Sequence, residues 1–323
     1  MKFEYCAAIR TLGTAGDKYY QTLLSLKQQT IPPKKILVYI AEGYPLPKET
    51  IGIEQYVYVK KGMIAQRALP YKEVDTEYIL LLDDDLYLAP DAVERMYNGM
   101  TNNSGDVMCA NVFPNHEASF SEKLRWIFFV GTFPMKSNKW AFKIRKNGNY
   151  SYNNDPKNGI YESQSAAGAC SLWKLDVFKS VHFEDEAYFD KFRYPIGEDQ
   201  LLFNKAYQRG WKVLVDYNLP VQHLDAGSGH VKAVHVKAVE ERVIENIAIL
   251  FLIWHRTCLQ SYGKICIPSY IRRILVTIII PAVLHFLKRG NVEILRWQIR
   301  GLKKGIVMSK SEEYKSLPPF ADK

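Results

Sequence analysis

Three aspartates close an apolar run, Leu80-Leu81-Leu82 leading straight into Asp83-Asp84-Asp85. Carboxylates this close repel one another unless a cation lies between them. Tyr78 to Leu82 reads as a strand buried on both faces, so the aspartates stand at its carboxyl end, where open α/β sheets bind ligands. Oxygen ligands suit Mg²⁺ or Mn²⁺, ions that bridge protein carboxylates to substrate phosphates. The competing use of the triplet is a solvated acidic turn ahead of the helix that Pro90 starts. A second acidic pair, Gly197-Glu198-Asp199, opens a predicted helix carrying Leu201, Leu202 and Ala206, a position where an acid often serves only as a cap. Taken together, the clusters divide the labour of a transfer reaction. One can hold a metal and a diphosphate leaving group while the other accepts a proton from an attacking hydroxyl.

The elements that must position these residues follow from periodicity. Tyr5 to Ile9 is a short apolar run; Asp17 to Gln29 carries Tyr20, Leu23, Leu24 and Lys27 at helical spacing and is stopped by Pro32 and Pro33. Ile36 to Ile40 and Tyr56 to Val59 read as strands, Met63 to Tyr71 and Ala92 to Met100 as helices. Strands and helices in alternation predict an α/β sheet of βαβ type. Residues 115–165, rich in Phe, Trp, Tyr, Asn and Lys without a clean period, predict an irregular insertion that bears on acceptor specificity. Regular signals return with Ala166 to Trp173, a helix over Asp199 to Arg209 and a strand over Trp211 to Asp216. The expected division is a catalytic domain over 1–230 and a helical region over 231–323.

The net charge of +9 is concentrated in one place. Between 264 and 310 stand Lys264, Arg272, Arg273, Lys288, Arg289, Arg296, Arg300, Lys303, Lys304 and Lys310 against Glu293 alone, ten cations to one acid. Interleaved with long aliphatic residues, that pattern suits an anionic membrane surface and argues against nucleic acid as a partner. The apolar stretch Ile274 to Leu287 would be about 21 Å of helix at ~1.5 Å per residue, short of a ~30 Å hydrocarbon core. Val292, Leu295, Ile299, Leu302 and Ile306 form a further apolar stripe. The other uses of these helices are packing on the catalytic domain or a homodimer interface. Five scattered cysteines without a CxxC pair, and a start (Met1-Lys2-Phe3-Glu4) that does not read as a secretory signal, predict a cytoplasmic protein peripheral on the inner face of the cell membrane.

Ser25-Leu26 with Gln29-Thr30-Ile31-Pro32-Pro33, Gly62 with Arg67, Asp83-Asp84-Asp85, Phe189-Asp190 leading to Glu198-Asp199, Gly210-Trp211-Lys212-Val213 and Val221-Gln222-His223 stand in register over roughly residues 3 to 225. In that order and spacing the chain resembles the family 2 glycosyltransferases of GT-A fold, of the kind that builds bacterial polysaccharides. The resemblance implies an inverting, metal-dependent transfer from a nucleotide-diphosphate sugar, with a UDP-sugar as expected donor. The expected acceptor is a saccharide or lipid-linked oligosaccharide of capsule, exopolysaccharide or O-antigen synthesis. Carried over by position, Asp83 and Asp85 contact donor ribose and a Mn²⁺ or Mg²⁺ ion, with Asp84 in the same donor set. Thr11 and Arg67 line the nucleotide site, and His223 lies near the metal or diphosphate, its other reading being a partly buried strand-end histidine. Asp199 is the base, and Glu198 orients it or bonds the acceptor.

The chain also departs from the family. Where those enzymes have Pro-Thr-Tyr-Asn after the first strand, this chain has Arg10-Thr11-Leu12-Gly13. The acidic pair after their second strand is here Ile40-Ala41, leaving Glu42 as the nearest carboxylate. Their aspartate and arginine beyond the Glu-Asp pair are here Leu201 and Lys205. A sugar-phosphate nucleotidyltransferase would want a Gly-rich, basic loop after the first strand, of which Leu12-Gly13-Thr14-Ala15-Gly16 is a faint version. An inactive, membrane-docked sugar-binding scaffold is opposed by the intact Asp83, Asp85 and Asp199.

Overall fold

The computed structural model describes residues 3–112, 133–157, 159–194, 196–224, 236–287 and 292–321. The strands are β1 (Tyr5–Thr11), β2 (Lys35–Ala41), β3 (Glu54–Val59), β4 (Tyr78–Asp83), β5 (Leu86–Leu88), β6 (Val107–Ala110), β7 (Phe133–Met135), β8 (Phe142–Ile144), β9 (Tyr150–Asn153), β10 (Ile160–Glu162), β11 (Cys170–Lys174), β12 (Val213–Asp216) and β13 (Val221–His223). The main helices are α1 (Asp17–Lys27), α2 (Ala92–Asn102), α3 (Leu175–Ser180), α4 (Glu198–Gln208), α5 (Val236–Trp254), α6 (Ile267–Phe286), α7 (Val292–Met308) and α8 (Glu312–Lys315).

Eight strands form one sheet in the order β10-β12-β6-β11-β4-β1-β2-β3. β1 lies between β2 and β4, parallel to both, while β11 runs antiparallel to β4 and β6. Alternation along β1 splits the core in two. Tyr5, Ala7 and Ile9 face α1 and α2 through Leu23, Leu26, Val93 and Met96; Cys6 and Ala8 face the other layer with Leu37, Ile79 and Trp173. That second layer also contains Ala248, Leu252 and Trp254 of α5, Tyr314 of α8, and Phe320. The boundary expected after residue 230 falls outside the described residues, and the chain beyond it shares one core with the sheet.

Two expectations need correction. Met63 to Tyr71 is a succession of turns, not a helix. Asp190 caps it from across the fold, accepting from the Ile64 and Ala65 amides at 2.6 and 3.3 Å, and the run ends at Pro70 and a left-handed Tyr71 with φ 45°. The insertion over 115–165 is less irregular than its composition implies. Its described part holds the small sheet β7-β9-β8 and the edge strand β10, which pairs antiparallel with β12. No helix among the described residues is long and apolar enough to cross a membrane.

Candidate active site

The carboxyl ends of β1, β2 and β4 share one edge of the sheet, because all three are parallel. Register sets Arg10 of β1 opposite Asp83 of β4, and their side chains meet at 2.9 Å. The next residues along each strand are paired too. The Thr11 hydroxyl donates to the buried Asp84 carboxylate at 2.5 Å and itself accepts from the Gly13 amide. Burial pushes the Asp84 carboxyl up to about 6, aided by the charges of Asp85 and Asp83 and opposed by the Thr11 hydrogen bond. Thr11 and Asp84 therefore brace the edge from within. Asp85 stands opposite His223, its Oδ1 3.3 Å from Nε2, because β13 pairs antiparallel with β5 and sets His223 against Leu86. Glu42 is exposed at the end of β2.

The second cluster is brought to the first by one glycine. Gly168 leads into β11, next to β4, where Asp83 donates its amide to the Ala169 carbonyl. The Gly168 carbonyl accepts from Arg10 at 2.9 Å and its amide donates to Asp199 at 3.0 Å. A Cβ there would lie 2.1 Å from Asp199 Oδ1, so only glycine leaves room for the carboxylate. Gly197, at φ 79°, turns the chain so that α4 begins with Glu198 and Asp199 facing this point.

Arg67 lies against both carboxylates, 3.0 Å from Glu198 Oε1 and 3.0 Å from Asp199 Oδ1. The Glu198 contact is a well-formed hydrogen bond; the Asp199 contact is a charge contact without hydrogen-bond alignment. Burial alone would lower the Arg67 pKa, but Asp199, Glu198 and Asp83 outweigh it and raise it. Arg67, expected at the nucleotide, contacts Glu198 and Asp199 and lies within the field of Asp83.

Of the residues expected in the site, Thr11, Arg67, Asp83, Asp84, Asp85, Glu198, Asp199 and His223 are linked at one sheet edge, while Glu42 lies on the neighbouring strand. Asp216 serves its own turn, accepting from the Asn218 amide at 2.8 Å, and Asp225 lies outside the described residues. Arg10, Gly168 and Asp190 escaped the sequence reading as working parts. Phe189-Asp190 was visible as a motif, but nothing in the sequence marks Gly168.

Among the described residues no three His, Cys, Asp or Glu side chains converge as a metal cage. Asp85 Oδ1 and His223 Nε2, 3.3 Å apart, are the two donors that would hold a divalent cation here, with phosphate oxygens and water completing its shell.

Residues 56–167 match the family model Glycosyl transferase family 2. No curated protein matches the chain. Among solved structures, S. aureus TarS 1–349 in complex with UDP-GlcNAc superposes with a TM-score of 0.50 at 11% identity, over 98% of this chain and 84% of that one. GalNAc-T7 with UDP, GalNAc and Mn²⁺ gives a TM-score of 0.48 at 12% identity, over 85% of this chain and 55% of that one. The fold is of GT-A type. The family match spans β3 to the approach to β11, and the C-terminal helices share the core of the same sheet.

Proposed function

We propose that the chain transfers a sugar from a nucleotide-diphosphate sugar to an acceptor hydroxyl by single displacement with inversion. The observation that carries this reading is the Gly168 junction. Through one peptide unit and Arg10 it sets the Asp83 end of the donor cluster beside Asp199, one of the two carboxylates in α4's first turn. A nucleotide site at the β1, β2 and β4 ends would place Asp83 toward ribose and Asp85 with His223 toward the diphosphate. A bound cation there would neutralise the departing diphosphate. Asp199, held by Gly168, accepts the proton of the acceptor hydroxyl, and Glu198 orients it through the shared Arg67. The UDP-sugar complex of the TarS structure supports UDP as the nucleotide, and a lipid-linked saccharide in cell-surface polysaccharide synthesis is the acceptor class we favour.

Asp199→Asn keeps the shape of the side chain and removes the base. Turnover should fall about 10² to 10⁴-fold with donor affinity near normal, the usual scale of general base catalysis. Transfer and donor hydrolysis followed with and without Mn²⁺ test this, and a variant retaining a tenth or more of wild-type turnover, at roughly the level general base loss cannot explain, would move the role to another residue.

A further inference from the structure

The inner side of α6 is fastened to the catalytic half. Tyr270 stacks on Trp254 with ring centroids 3.9 Å apart, and Arg273 donates to the Asn147 carbonyl at 2.9 Å. Among the described residues the outer side has no such stacking or hydrogen-bonded partner. Ile271, Leu275, Ile279 and Val283 recur every four residues and are each 49–52% exposed, and they run on to Phe286, 88% exposed, and Leu287. This is a continuous apolar ridge along a helix of 20 residues, about 30 Å at ~1.5 Å per residue.

Charge selects the occupant. Every charged residue between 264 and 291 is a cation: Lys264, Arg272, Arg273, Lys288 and Arg289. Lys264 and Arg272 are exposed at the start of the ridge. A second copy of the chain meeting this ridge about a two-fold axis would bring cation to cation with no acid in the segment to compensate. An anionic bilayer surface offers apolar depth and negative headgroups at once.

We infer that the outer ridge of α6 lies in the headgroup boundary of an anionic membrane, flat rather than spanning. The fold gives that position a use. Asn147 meets α6 through Arg273, and the next residue, Gly148, packs on Trp254 of α5 and accepts from Gln200 of α4 at 3.0 Å, one residue beyond Asp199. A lipid-anchored acceptor would thus arrive on the side of the molecule that carries the base. Binding to lipid does not depend on the sugar-transfer reading and is measured without donor.

The test is co-sedimentation of the full chain with vesicles of phosphatidylglycerol and phosphatidylcholine, and with phosphatidylcholine alone, at low and high salt. The wild type should bind the anionic vesicles at least tenfold better, and salt should weaken it. Leu275→Ser/Ile279→Ser/Phe286→Ser should reduce partitioning by at least tenfold, since each apolar side chain withdrawn from lipid is worth about that factor. Lys264→Gln/Arg272→Gln, which leaves the ridge intact and guards against a folding defect in the triple variant, should lose about fivefold per cation. Equal binding by the wild type and both variants overturns the inference. A wild-type dimer in light scattering that the triple variant abolishes also overturns it, in favour of self-association.

Discussion

α6 and α7 come from the same basic end of the chain, and both carry apolar residues at three- and four-residue spacing. Their surroundings differ. α7 buries Trp297 and lays Gly301 and Gly305 directly against α5, and three of its four cations are matched by acids: Arg300 pairs with Glu240, Lys304 with Glu245 at 3.5 Å, and Arg296 with Glu293. α6 turns an apolar ridge outward in a stretch that contains no acid. Of the excess charge over 264–310, two cations of α7 are compensated across space by residues 59 and 60 positions earlier, while the segment of α6 contains no acid of its own. A run of charge identifies a surface only after its partners in the fold are subtracted.

If α7 and the tail belong to the core, removing them should cost more than any point change. Truncation after Tyr262 deletes Tyr270, Trp297, Tyr314 and Phe320, all buried. At about 1.5–3 kcal/mol for each large apolar side chain, the loss reaches the ~5–15 kcal/mol by which a domain is stable. The truncated chain should show no cooperative thermal transition by circular dichroism. A folded, nucleotide-binding fragment would return the whole C-terminal region to the status of an appendage.

A smaller effect is expected at the buried ion network that ties the segment after α5 to the catalytic half. Glu186 receives Arg256 through Nε at 2.9 Å and through Nη2, and Lys205 at 3.2 Å, with all three side chains fully buried. Arg256 continues to the Pro318 carbonyl at 2.8 Å. Glu186→Ala would leave the buried Arg256 without an acid and Lys205 with Asp185 alone, a loss of about 3–5 kcal/mol on the scale of broken buried pairs. Chemical denaturation measures it, and a change under 1 kcal/mol, far below that rough scale, would show that water reaches the network. Next in size is Gly301→Leu. A Cβ at Gly301 already meets the Ile244 carbonyl at 2.6 Å, so α7 must move away from α5, at a cost of about 1–3 kcal/mol for overpacking.

The sheet was legible because its strands are short apolar runs bounded by proline, glycine or acid: β1, β2, β3 and β4 contain the runs read from Tyr5, Ile36, Tyr56 and Tyr78. The acidic clusters were legible for the same reason, each falling at the end of a regular element. Met63 to Tyr71 misled because its apolar spacing imitates a helix, while its conformation is imposed by Asp190, 126 residues from Ile64. Strands β7, β8 and β9, of three or four residues, carry too little pattern to show a period. Gly168 was invisible because its role is a missing side chain, and Arg10 because its partners, Asp83 and the Gly168 carbonyl, come from 73 and 158 residues away.

The smallest effect is the one that separates α7 from α6 most directly. Arg300 and Lys304 were expected to read lipid charge, but both are engaged by α5, with Arg300 on Glu240 and Lys304 between Glu245 and the Phe192 ring, 5.3 Å from its centroid. Pairs as open to solvent as these contribute about 0.2–1 kcal/mol. Arg300→Gln/Lys304→Gln should therefore lower stability only slightly and leave binding to anionic vesicles within about twofold of wild type, although the formal charge lost equals that of Lys264→Gln/Arg272→Gln, for which about fivefold per cation is expected. Equal net charge with unequal lipid binding would locate the membrane contact on α6. Equal losses from the two double variants would mean that the surface responds to total charge alone, and the distinction between the helices would fall.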